Sequence, residues 1–359
     1  MLFKPTVVQL WGVDRQLYTL TEETSTGAAV MLRPGAKGLD APTWNVMTDE
    51  YPAIDGGFVR FARAGIRELF LPLIITGTTR PEMMALKRRF INSLNPAKGL
   101  VTLQTTEYTI PDNLGDAATL DDMIAEPPRA IECFYAGGME GGEGSENGVH
   151  WASYGLILRC PVPYFSGLSR IRASFQVYDQ LRAFMADAPA ADPFVSVDGT
   201  TPGMGLQLST NPIWADEISL FNPGDIGAQP RWEVRGPFNS RLRLMLLDEE
   251  GATLKELRFA EAFPVLTSEV LVIETVKGAQ SIRLYPEVSP SGNYSPTAGK
   301  SVYWAFDTTS SLWAIEPGTN QVALAIDKPP GMNPTQEAAW LAANSPRAYV
   351  SYLPAYLGI

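Results

Sequence analysis

With 359 residues, 45% of them hydrophobic, the chain is long enough for two packed domains and too apolar for wholesale disorder. Its 39 acidic and 28 basic side chains give a formal charge of −11, which disfavours wrapping nucleic acid, a polyanion held mainly by Lys and Arg. Two cysteines, Cys133 and Cys160, and one histidine, His150, are too few for a zinc pattern or a disulfide scaffold, and the cysteines read as buried thiols of a reducing cytosol. No apolar run approaches membrane-spanning length, and the first ten residues lack the apolar core and cleavage site of a secretory signal.

In chain order, Thr6 to Trp11 reads as a first strand, and a polar turn at 22–27 precedes a second at 28–32. A glycine- and proline-punctuated loop at 35–42 leads to Asp55-Gly56, a tight-turn pair. The strand at 67–75 places Leu69, Leu71, Leu73 and Ile75 on one face, and Pro72, which cannot donate to a ladder, predicts an edge or a bulge. Thr79, with Glu82 three residues on and Pro81 in the first turn, predicts a capping box. Met83, Leu86, Phe90 and Leu94 then form one apolar stripe, with Lys87, Arg88 and Arg89 near the negative end of the helix dipole. Asn95-Pro96 stops the helix, and 100–104 resumes strand. The glycine-rich stretch at 136–148 carries Glu140, Glu143 and Glu146 but no lysine or helix start, so it is no phosphate cradle. It reads either as a flexible hairpin tip or as an acidic loop facing a channel, where like charge would keep DNA from sticking.

Beyond 168 the pattern changes. Ile171, Ala173, Phe175 and Val177 alternate with polar residues, 188–193 reads as an extended connection, and strands then recur every eight to fifteen residues from 205 to 352, those at 205–209, 302–306 and 312–315 among them. This predicts a mainly β fold: a β-sandwich with one α-helix over 1–168, and a second β-sandwich over 169–359. Stretches 286–300 and 328–347 are longer than simple turns, and Asn333 caps a short predicted helix to Ala343. They read equally as docking elements or as surface decoration.

Certain residues, taken in order, carry a resemblance. Gly38-Leu-Asp-Ala-Pro42, Asp55-Gly56, then Arg60, Arg63 and Arg67 ahead of a leucine-rich strand, a helix, Asn95-Pro96 and Lys98-Gly99 resemble the N-terminal domain of siphovirus distal tail proteins, as does Arg159-Cys160-Pro-Val-Pro163-Tyr-Phe165. The loops Asn222-Pro-Gly224-Asp225 and Glu316-Pro317-Gly318-Thr319-Asn320 resemble the galectin-like second domain of the actinobacteriophage-type members, which act as minor tail proteins. The resemblance implies a non-enzymatic subunit of the virion, assembled in the host cytoplasm into a homo-hexameric ring at the tail tip. The ring would join the tail tube to the tail-tip hub or tail-associated lysin-type protein, carry side fibres or receptor-binding proteins, and let DNA pass through its channel. Asp55, Arg60, Arg63 and Arg67 are then candidate subunit-interface residues, against the plainer reading of surface ion pairs.

Chemistry-bearing constellations are sparse. His150 has Cys133 and Ser153 nearby in sequence, but no nucleophile elbow or oxyanion loop accompanies them. No calcium-loop pattern occurs, and no cofactor or metal is expected. Trp232, Trp304, Trp313 and Trp340 could floor a sugar site, which keeps a carbohydrate-binding module contacting the host surface as the alternative; core tryptophans explain them more simply.

Overall fold

The structure, a computed structural model, describes residues 6–21, 27–50, 55–109, 124–141, 149–176, 213–276, 278–289, 292–295, 297–327 and 331–359. It divides into two compact units, Met1–Ser169 with Ala355–Ile359, and Arg170–Pro354. The predicted connection at 188–193 and strand at 205–209 lie outside the described residues.

The first unit contains β1 (Thr6–Trp11), β2 (Leu17–Thr19), β3 (Ala29–Leu32), β4 (Trp44–Glu50), β5 (Gly57–Ala64), β6 (Arg67–Thr76) and helix α1 (Arg80–Ser93). It continues with β7 (Val101–Thr109), β8 (Ile124–Ala125), β9 (Arg129–Gly137), β10 (Trp151–Cys160) and β11 (Phe165–Gly167). Its main sheet runs β2-β1-β7-β9-β10-β6-β3, all antiparallel. Strand period two puts Leu69, Leu71, Leu73 and Ile75 of β6 into the core, where they join Leu103, Leu156 and Leu158 and the helix residues Met83, Phe90 and Leu94. Pro72 sits where β3 has stopped: its carbonyl accepts from the Arg33 amide at 2.8 Å, so its missing N–H costs the ladder nothing.

Helix α1 starts as its sequence dictates, with Thr79 Oγ1 accepting from the Glu82 amide at 3.4 Å. The return arm of the box differs from expectation: the Glu82 carboxylate accepts from the amide of Thr78 at 3.1 Å and from the Thr78 hydroxyl. No basic residue occupies the last turn, because the helix runs on to Ser93. Lys87 lies instead 5.0 Å over the Tyr154 ring. At the helix end, Ser93 donates to Asp14 Oδ2 at 2.8 Å and lies 2.9 Å from the Tyr18 hydroxyl, while Tyr18 meets Phe90 edge-on at 4.9 Å.

The second unit contains β12 (Ile171–Gln176), β13 (Ile213–Asn222), β14 (Arg231–Arg235), β15 (Phe238–Asn239), β16 (Leu242–Leu247) and β17 (Thr253–Arg258). There follow β18 (Pro264–Val265), β19 (Val270–Glu274), β20 (Ser281–Tyr285), β21 (Lys300–Ser301), β22 (Gly318–Asp327), helix α2 (Pro334–Ala343) and β23 (Arg347–Tyr352). A six-stranded sheet β12-β23-β14-β19-β20-β21 and a four-stranded sheet β13-β22-β16-β17 share one core, in which Phe175, Trp232, Ile273 and Val350 of the first meet Leu220, Leu244, Leu257 and Leu324 of the second. That arrangement is a β-sandwich. The two quoted loop motifs meet in register, Asn222 opposite Gly318. Asn222 accepts from the Gly224 amide and donates to the carbonyls of Ile226 and Ile315, and Asn320 brackets Glu316 through both its amide atoms. Asn333 and Gln336 cap α2 reciprocally, at 2.9 and 3.0 Å.

Three expectations are corrected. Residues 302–306 form a 3-10 turn at Tyr303–Ala305 rather than a strand, because Val302 and Ala305 are drawn into the core. Residues 312–315 form only an isolated bridge, Ile315 with Ala228. The last five residues leave the second unit: β24 (Ala355–Tyr356) pairs with β11 and so belongs to the first.

Candidate functional site: an exposed hairpin

Among the described residues, β4 and β5 pair with each other and with no other strand. Nearly every residue of the hairpin is exposed, including Trp44 (47%), Phe58 (48%), Val59 (60%) and Phe61 (47%). Arg60 is passed over in the pairing, since Met47 faces Phe61 and Thr48 faces Val59. Before this bulge Trp44 and Val46 share one face; beside it Met47 and Phe61 occupy the other. Apolar side chains therefore project from both faces. A two-stranded ribbon has no core of its own and is marginal in water, so these side chains call for a cover from outside the ribbon.

The charged candidates separate. Asp55 is exposed beside Gly56, whose φ of +91° makes the turn. Arg60 forms an exposed ion pair with Asp49 at 3.5 Å, and Arg63 is exposed opposite Asn45. Arg67 stands apart, 1% exposed. Its Nη1 donates to the Leu39 carbonyl at 3.3 Å, its Nη2 donates to the Leu357 carbonyl, and its guanidinium lies 5.1 Å over Phe165. Burial pushes that guanidinium down from its ordinary pKa. A side chain so enclosed has no surface left for a partner, so its place is inside its own unit.

Glu140 is exposed at the end of β9. Its carboxylate accepts from the Gly138 amide at 2.7 Å and from the Tyr135 hydroxyl at 3.1 Å, and its own and the Gly138 amides, with Tyr135, hold it below the usual carboxylate range. Glu143 and Glu146 lie outside the described residues.

His150 is exposed, whereas Cys133 is fully buried with its Sγ 2.8 Å from that of Cys160. The Cys160 contact, followed by burial, pushes the Cys133 thiol up, away from the thiolate a nucleophile needs. Trp232 and Trp313 stack edge-on at 5.5 Å in the second core, while Trp304 is 67% exposed beside Phe263. Among the described residues, no group of three His, Cys, Asp or Glu side chains is placed to hold a metal, and no helix is long and apolar enough to cross a membrane.

The sequence predicts the turn at Asp55-Gly56 but not the hairpin around it. Its signal was two aromatic-bearing runs flanking Asp55-Gly56, blurred because the bulge at Arg60 breaks strict alternation in β5.

No protein-family model and no curated protein matches the chain. Among solved structures it is similar to SPP1 Dit, gp 19.1, described as a paradigm of the hub adsorption apparatus in phages infecting Gram-positive hosts. That similarity has a TM-score of 0.55 at 12% identity, over 98% of this chain and 99% of that one. A phage p2 baseplate structure in its activated conformation matches at TM-score 0.42 and 12% identity, over 97% of each chain. The chain shares the fold of SPP1 Dit.

Proposed function

We propose that the chain is a non-enzymatic structural subunit of a phage tail tip, and that copies of it, six in the reading favoured here, close a ring joining the tail tube to the tail-tip hub. The single observation that carries this is the β4–β5 hairpin, which among the described residues pairs with no other strand and leaves Trp44, Val46, Met47, Val59 and Phe61 about half exposed. The full-length likeness to SPP1 Dit, a hub protein by its description, supports it. Seating each hairpin against the neighbouring copy would bury the half of Phe58, Val59 and Phe61 that is exposed, at roughly 1 kcal/mol apiece, a gain that is repeated at every contact around a ring. Asp55, Arg60 and Arg63 would then fix register and orientation at the edge of that contact. Arg67 has no such part. Glu140, with Glu143 and Glu146, would turn negative charge to the channel, so that DNA passes without adhering. Function in this reading is geometric, and no reacting side chain is called on.

Electron microscopy of the purified protein tests it. Annular particles are expected, and they should disappear in a variant carrying Phe58→Ser and Phe61→Ser. A monomer at high concentration, with the protein also missing from intact virions, would refute the reading.

A further inference from the structure

The six-stranded sheet of the second unit turns Trp232, Val234, Ala348 and Val350 into the core and the alternate residues outward. On the outward face Arg231 of β14 lies beside Ser351 of β23, which lies beside Arg172 of β12. Two positions along, Glu233 lies beside Tyr349; two further, Arg235 lies beside Arg347.

Glu233 is the central counter-charge. Its carboxylate is 3.8 Å from Arg172, 3.9 Å from Arg231 and 3.9 Å from Arg235, and its side chain is only 8% exposed. One carboxylate cannot neutralise three guanidiniums. Glu274 is 4.0 Å from Arg231, but Arg347 has no ion pair among the described residues, so positive charge remains in excess on the face of a chain whose net charge is −11.

Stacking holds these groups in place. Arg172 and Arg235 lie 4.4 and 4.6 Å over the Tyr349 ring, and Arg231 lies 5.4 Å over Tyr294 while donating to the Gly292 carbonyl at 2.8 Å. Arg172, its side chain 51% exposed, and Arg347, also exposed, are the guanidiniums this face opens to solvent, and planar forks of that kind are what an oxyanion binds.

The geometry also indicates the shape of the ligand. The backbones of Arg231 and Arg235, four residues apart on one strand, are about 13 Å apart and those of Arg235 and Arg347 about 5 Å apart, while the guanidiniums of Arg231 and Arg235 converge on Glu233, each 3.9 Å from its carboxylate. Around them are hydroxyls, Ser174 exposed and Ser351 at the floor, and strands β12, β14 and β23 present, among the described residues, none of the exposed apolar side chains that a protein partner would bury at the centre of its interface. We propose that this face binds a hydroxyl-rich polyanion, a glycopolymer carrying phosphate or carboxylate groups along its length. The site does not depend on ring formation.

Binding of the full chain to immobilised polyglycerol phosphate, polyglucuronate and neutral dextran, at about 50 mM salt, tests this. Binding to at least one anionic polymer and none to dextran is expected, and which polymer binds distinguishes phosphate from carboxylate. The variant Arg347→Glu, at an exposed residue with no ion pair among the described residues, should weaken binding at least about fivefold with an unchanged melting temperature. The hairpin variant should bind as the unaltered chain does, even as a monomer. Failure of both anionic polymers to bind would overturn the proposal. So would an equal loss from Arg88→Glu with Arg89→Glu on α1, which would show attraction without a site.

Discussion

Arg67, at the head of β6, donates through Nη2 to the carbonyl of Leu357, 290 positions further along the chain. Arg129 repeats the device one residue later: it donates to the Gly358 carbonyl at 3.0 Å and lies 4.1 Å over the Tyr356 ring. Two arginines therefore hold β24 against β11 and return the end of the chain to the unit in which it began. Arg67→Ala removes the guanidinium from the part-buried Leu39 and Leu357 carbonyls and the packing on Phe165, which should cost the first unit about 2–4 kcal/mol. Hydrogen exchange should quicken at 355–359 above all; unchanged protection there would show that the clamp is idle.

Asp14 provides a pH signature. Burial alone would raise its carboxyl, but the Ser93 hydroxyl, the Gln16 amide and the charge of Lys98 together hold it below its ordinary 3.8. A carboxyl lowered in the folded state stabilises the fold above its unfolded pKa, and that contribution disappears as pH falls through the folded value. Asp14→Asn should therefore melt below the unaltered protein at neutral pH, and the gap should narrow only once the pH drops beneath about 3.8. A gap that is constant down to pH 2 would show that the Ser93 contact carries no charge-dependent stability.

Gly138 combines two constraints. Its φ is +91°, and a Cβ placed there would sit 1.7 Å from the Gly155 carbonyl oxygen. Gly56 shares a φ of +91° but has nothing within 4 Å of such a Cβ. Denaturant midpoints should place Gly56→Ala about 1 kcal/mol below the unaltered chain and Gly138→Ala clearly lower still, because only the second must also displace β10. Equal losses would mean that the strand yields freely.

Much of this fold was legible where local chemistry and tertiary fate agree. Thr79 and Asn333 cap helices because their side-chain oxygens reach amides three residues on, and β6 shows its buried face because every second residue is a large aliphatic. What was hidden depends on distant pairing. Residues 302–306 carry a strand-like composition, yet Phe306 finds only an isolated bridge to Phe259, and no local signal reports that shortage of partners. Arg67 reads as one of three arginines at similar spacing; only the return of Leu357 makes it interior. The second-unit basic face was invisible for the same reason, since Arg172, Arg231 and Arg347 come from strands far apart in sequence.

The central claim concerns the hairpin, and sedimentation equilibrium across a wide concentration range tests it most directly. The unaltered chain should weigh a fixed multiple of its 39.2 kDa, and the Phe58→Ser, Phe61→Ser variant should weigh a single copy while keeping the same circular dichroism. A closed assembly that persists in the variant, or a single-copy mass for both proteins at every concentration, would contradict the account.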